Sequence, residues 1–237
     1  MFFRSSFLLA PALLSCAATA FAAGFDDCPQ FFSGKPPVIQ GYGQQRALCF
    51  EEFAVLHSGQ TKTPLYTAQR LNARMLNKAK DLKRNDKFYE EARLPESERA
   101  LLSDYRRSGF SRGHMAAAGD MSTTFGKAQS YSLANMVPQD PTQNGKPWSQ
   151  IEQDTRRYIR RARGDVYVIT GPVFSSRQPH TIGNSEVWVP DAVFKMVYDP
   201  ATGERWVHLQ ANQKSTRAGK PISYEAFVQR TGIRLLN

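Results

Sequence analysis

The last third of the chain is built almost entirely from short strand-type segments, and this pattern constrains the fold more than any other feature. Residues 166–174, 186–189, 192–198 and 205–211 are apolar or alternate apolar with polar side chains, as half-buried and buried strands do. Asp199-Pro200-Ala201-Thr202-Gly203 carries turn chemistry between the last two. Upstream, 47–58 and 64–71 also have strand character, and the Ser58-Gly59-Gln60-Thr61-Lys62-Thr63 stretch between them predicts a hairpin. Residues 72–107 are highly charged, with a short helix opening at Pro95, and 108–126 reads as a Gly- and Ala-rich, site-bearing loop. Helical periodicity is clearest over 147–163, where Pro147 fits a first turn and Trp148, Ile151, Tyr158, Ile159 and Ala162 recur on one face before Gly164. A short closing helix is expected over 223–231. These elements predict a mixed α+β fold with a largely antiparallel sheet and flanking helices.

The N-terminus reads as an export signal over 1–22: Arg4, an apolar stretch from Phe7 to Leu14, and an Ala20-Phe21-Ala22 cleavage site. Leu13-Leu14-Ser15-Cys16 loosely matches a lipoprotein site, which leaves lipid anchoring at Cys16 as the alternative. No later segment approaches the roughly 20 apolar residues of a spanning helix. The product is therefore expected to be periplasmic or secreted. An arm rich in Gly, Pro and polar residues follows over 23–46, and roughly 200 residues, 47–237, suit one domain with a sizeable core. Cys28 and Cys49 are expected to pair in an oxidising compartment. That bridge would close a loop of about 20 residues and contribute about 3 kcal/mol. Two buried free thiols are the alternative reading, and the spacing fits no thiolate zinc site.

Net charge is +10, an excess that favours a polyanionic partner through counterion release, although many basic exported proteins bind nothing acidic. Four histidines are present. His57 and His208 sit in strand patterns and read as structural, and His180 in a polar loop reads as solvated. His114 differs, lying in Ser111-Arg112-Gly113-His114-Met115 with an arginine two before it and a glycine that permits close backbone approach.

A second cluster follows: Asn135-Met136-Val137-Pro138-Gln139, then Asn144, then Trp148, Glu152 and Arg156. The last three are spaced four apart, so they share a helix face that reaches back toward Asn144. A carboxamide oxygen and a carboxylate there can hold a hard cation, and Arg156 suits a phosphate. The plainer reading is a capping asparagine and a surface Glu–Arg pair worth a few tenths of a kcal/mol.

Taken jointly, Phe110 to Ala116, Asn135 to Gln139, and Asn144 through Trp148 to Glu152 resemble the DNA/RNA non-specific endonuclease family of ββα-metal nucleases, over about 51–232 of this chain. The resemblance implies that His114 is the general base. It also implies that Asn144 is the single protein ligand of a catalytic Mg2+ (with Mn2+ as a substitute), and that Glu152 positions metal-bound water and helps transfer a proton. Arg112 and Arg156 match arginines on the scissile phosphate. Asn135 matches an asparagine supporting the site, and Arg84 is the nearest candidate for a further substrate arginine. Ser111 departs from the family's usual Asp before Arg-Gly-His. That Asp is neither base nor ligand, so retuned rate, metal preference or pH optimum is expected, not lost chemistry.

Chemically, an imidazole with an ordinary pKa of about 6.5 can take a proton from water near neutral pH. The family pattern implies release of the 3′ oxygen and products with 5′-phosphate ends. Phosphate contacts carry no base information, and no base-reading motif is visible, so DNA and RNA are both expected substrates. The basic stretches 78–87 and 156–163 could track the backbone or be solvated faces. Two rivals stand beside this reading: a non-catalytic nucleic-acid-binding or uptake protein on the same fold, and a small-substrate phosphoesterase. The absence of a dense Asp/His cluster disfavours the phosphoesterase.

Overall fold

The computed structural model describes residues 24–83, 86–176 and 178–236. The signal segment, Cys16 and Arg84 lie outside these residues. In chain order the elements are β1 (Gln45–Cys49), β2 (Ala54–Ser58), β3 (Thr63–Leu71), α1 (Ala73–Ala79), α2 (Leu102–Tyr105), β4 (Ser111–His114), α3 (Thr124–Gln129), β5 (Met136–Gln139), α4 (Pro141–Gln143), α5 (Ser149–Ile159), β6 (Val166–Val173), β7 (Thr181–Ile182), β8 (Val187–Trp188), β9 (Ala192–Asp199), β10 (Glu204–Ala211), β11 (Ile222–Ser223) and α6 (Tyr224–Thr231).

Seven strands form one sheet in the order β1-β2-β3-β6-β9-β10-β11, and every pairing within it is antiparallel. Both faces are covered, which explains why β2 and β3 are buried almost throughout. Against one face pack α6 and the arm, whose Phe25, Phe31 and Phe32 share a core with Tyr66, Phe194 and Phe227. The bridge Cys28–Cys49 ties this arm to β1. The opposite face carries Met115, Val137, Trp148 and Ile151 against Val193. That layer holds the two-stranded ribbon β4-β5 and α5. No helix among the described residues is long and apolar enough to cross a membrane.

Three local expectations need correction. The 47–58 segment is not one strand but the hairpin β1-β2. Its turn is closed by the Phe50 N–H donating to the Phe53 carbonyl at 2.9 Å, with the two rings stacked 4.3 Å apart. The turn is Phe50-Glu51-Glu52-Phe53, which carries none of the Gly, Pro or Asn punctuation by which turns are read. The 108–126 stretch is not all loop, since it contains β4 and the start of α3. The helix expected over 147–163 starts earlier, at Pro141, where the Asp140 carboxylate accepts from the N–H groups of Thr142 and Gln143; it ends at Ile159.

Candidate active site

The chain leaves β5 and turns at once into a helix, giving a strand–strand–helix unit. In the ribbon Arg112 pairs with Pro138, Gly113 with Val137 and His114 with Met136. Alternation along β4 puts Arg112 and His114 on one face and Gly113 on the other. A Cβ on Gly113 would lie 1.9 Å from Gln139 Oε1 and 2.7 Å from its Cβ, so close approach by Gln139 is what requires glycine here. Gln139 is fixed in turn, because its amide donates to Gln143 Oε1 at 2.5 Å and Gln143 donates to Gln210 Oε1 at 2.9 Å.

The helical run is not uniform. Asn144–Trp148 forms a π turn with Pro147 inside it, so Pro147 is not in a first turn and Asn144 is not at the helix start. Pro147 has no N–H and its ring crowds the carbonyl one turn back, which opens the α ladder at this point. The Ser149 N–H instead reaches the Asn144 carbonyl. The junction between β5 and the helix is anchored by Asn212, which accepts from the Asp140 N–H at 2.7 Å and donates to the Pro138 and Pro190 carbonyls.

One cavity of about 360 Å³ gathers five of the expected residues: Arg112, His114, Asn144, Glu152 and Arg156. Trp148, expected on their face, is instead buried beneath them. Asn144 lines this cavity and is half-buried. The Arg112 Nε is buried without a partner among the described residues, and its guanidinium lies 5.0 Å from the centre of the Phe88 ring. Arg156 Nη1 is 2.9 Å from Asp120 Oδ1, with both side chains largely buried. Burial opposes the Arg156 charge, but Asp120 and Glu152 together hold its pKa above the ordinary value.

Asn135 is fully buried and does not line the cavity. Its Oδ1 accepts from the Ala116 N–H at 2.8 Å, and its amide donates to the carbonyls of Ala116 and Ser130. It therefore staples the chain just after His114 and touches the backbone, a positioning function. His57 is buried with its pKa pushed down to about 4 by that burial, and its Nε2 is 2.8 Å from the Glu98 carbonyl oxygen. His208 is also held below its ordinary value by burial, and His180 is exposed. Lysines 78, 80, 83 and 87 are exposed, as are Arg157, Arg161 and Arg163, so these side chains face solvent while Arg156 turns into the cavity.

Several residues at or beneath the cavity carry no sequence signal. Asp120, Phe88 and Tyr131 come from separate segments with no motif spacing. Lys195 sits fully buried in β9, donating to Thr170 Oγ1 at 2.8 Å with its Nζ 5.6 Å from the centre of the Trp148 ring. Burial lowers its pKa while Asp120 and Glu152 oppose that shift. The lysine is visible in the strand sequence, but its burial beneath the site is not.

The donor set suits a hard divalent cation. It offers a carboxamide oxygen and a carboxylate eight residues apart, with no group of three or more His, Cys, Asp or Glu ligands among the described residues. Such a site would leave most of the coordination shell to water and substrate, as Mg2+ prefers.

Residues 35–231 match the family model described as DNA/RNA non-specific endonuclease. Nuclease EXOG of Danio rerio is 34% identical over 155 residues, covering 60% of this chain and 44% of that protein. Endonuclease G of Homo sapiens is 31% identical over 163 residues, covering 65% and 54%. The chain thus spans about half the length of the curated relatives it matches. A crystal structure of an EndoG/EndoGI complex superposes with a TM-score of 0.73 at 23% identity, covering 82% of this chain and 87% of that one.

Proposed function

The chain belongs to the DNA/RNA non-specific endonuclease family, and from that premise we propose that it is an exported, Mg2+-dependent endonuclease cleaving DNA and RNA backbones to 5′-phosphate ends. The observation that carries this reading is the convergence of Arg112, His114, Asn144, Glu152 and Arg156 on one cavity. Export is supported by the signal-type N-terminus and by the Cys28–Cys49 bridge, which suits an oxidising compartment.

In the reaction, His114 removes a proton from a water that attacks phosphorus. The P–O bond to the 3′ oxygen breaks, the 3′ oxygen takes up a proton, and the phosphate stays on the 5′ side. Arg112 and Arg156 donate to the non-bridging oxygens, where negative charge builds in the transition state. Asp120 fixes one edge of the Arg156 guanidinium, so its other donors are pre-aimed. Around the cavity Asp120 and Glu152 offset much of the charge of Arg112 and Arg156, with Lys195 buried close by. Held through Asn144 with Glu152 facing it, Mg2+ would supply Lewis acidity and the excess positive charge that a phosphodiester needs.

The deciding experiment is a gel of plasmid and of RNA incubated with protein, with Mg2+ or with chelator, beside His114→Ala. Wild-type protein should cut both substrates only with metal, and the variant should be slower by about 10²-fold or more while melting like wild type. Binding without cutting would favour the non-catalytic reading, and wild-type turnover by His114→Ala would remove the assigned base.

A further inference from the structure

The aromatic residues around the base take no part in the chemistry above, yet two of them pack directly on its ring. Tyr131 is completely buried. Its ring stands edge-to-face with the His114 imidazole, centroids 5.1 Å apart at 86°. It meets Phe88 in the same way, at 5.1 Å and 83°. Phe88 is itself 5.7 Å from the imidazole and carries the Arg112 guanidinium 5.0 Å from its ring centre. The Tyr131 hydroxyl donates to Asp86 Oδ1 at 2.9 Å. Asp86 is exposed, so this bond runs from the buried layer to the surface segment that leads into Phe88. Backbone bonds fasten the same segment: the Tyr89 N–H donates to the Tyr131 carbonyl at 3.2 Å, and the Leu133 N–H to the Tyr89 carbonyl at 2.8 Å.

The last residue of a strand has its Cα fixed by the ladder, but an imidazole's outer torsion is broad and roughly two-fold. What packs on the ring therefore bears on which nitrogen faces the cavity. Offset and edge-to-face aromatic contacts are directional enough to do this. We propose that Tyr131 is a positioning residue with two separable functions. Its ring fixes the plane of His114, and its hydroxyl, through Asp86, holds the 86–88 segment so that Phe88 seats the Arg112 guanidinium at the phosphate. This rests on the reading of His114 as the base.

The two functions are separated by Tyr131→Phe, which keeps the ring and loses the bond, Tyr131→Leu, which loses both, and Asp86→Ala, which removes the acceptor from an exposed position. Steady-state plasmid cleavage in saturating Mg2+ reads kcat and KM, and the NMR shifts of the His114 ring protons report the aromatic contact without turnover. Tyr131→Phe and Asp86→Ala should each raise KM by about five-fold with kcat within about two-fold, and the double variant should be no worse than either. Tyr131→Leu should lower kcat by about 100-fold and move the His114 ring shifts, while Tyr131→Phe restores both. Wild-type kcat in Tyr131→Leu overturns the ring function. Unchanged KM in the two conservative variants, or additive effects in the double, overturns the hydroxyl function. If Tyr131→Leu does not fold, the two other variants and their double still decide the hydroxyl half, and unmoved His114 ring shifts in Tyr131→Ile as well as wild-type kcat there would overturn the ring half. A wild-type protein that leaves plasmid intact with Mg2+ would instead sink the assignment of His114, a result the ring shifts do not depend on.

Discussion

Gly113 is the residue whose side chain matters most by being absent. A methyl there would meet Gln139 Oε1 at 1.9 Å and Gln139 Cβ at 2.7 Å, and Gln139 cannot swing aside without breaking its bond to Gln143. Gly113→Ala should therefore cost about 1–3 kcal/mol, the scale of an overpacked core site, and should displace the adjoining His114 enough to slow cleavage at least about ten-fold. Urea melts and plasmid cleavage check both, and a variant as stable as wild type would show that Gln139 yields. At this scale the sequence was informative where function imposes a motif. Arg112, His114, Asn144, Glu152 and Arg156 could be named because the segments that carry them together resemble the motifs of a known family. Asp120, Phe88 and Tyr131 could not, because their places depend on contacts between distant segments. Asn135 was legible as a member of the site but not in its manner of acting, since a buried amide bonded to backbone looks no different in sequence from one facing substrate.

At the scale of elements the π turn is the feature that sequence periodicity misjudged. In an unbroken α-helix, residues eight apart lie about 80° away from each other around the axis. With one residue taken up by the π turn, Asn144 and Glu152 are effectively seven apart, within about 20° of two full turns. Both then face the same cavity. Pro147→Ala restores a donor for the carbonyl one turn back and should favour an ordinary α-helix. The variant should fold at least as stably as wild type but need about ten-fold more Mg2+ for half-maximal cleavage. A metal titration of plasmid nicking measures this, and an unchanged midpoint would mean that the proline does not set the alignment. Pro147 reads locally as a helix start because most prolines in helices are N-terminal. The Asp140-Pro141 pair that in fact opens the helix lies just outside the apolar repeat by which helices are recognised.

At the scale of the molecule, the α+β class and the antiparallel sheet were legible because strand alternation and turn chemistry are local. That the sheet is covered on both faces was not, since the arm supplies part of one cover and its composition resembles a loop. Phe25, Phe31 and Phe32 enter the core on the segment that the Cys28–Cys49 bridge ties to β1. Breaking this tie in Cys28→Ser/Cys49→Ser, or by reduction, should lower stability by about 3 kcal/mol and lower the melting midpoint; an unchanged midpoint on reduction would show that the arm docks unaided. On the export reading this tie has a further consequence. Cytosolic thiols stay reduced, so a newly made chain would lack its last clasp while it shares a compartment with its producer's genome. Oxidation after translocation would then arm the nuclease at full strength only on the far side of the membrane.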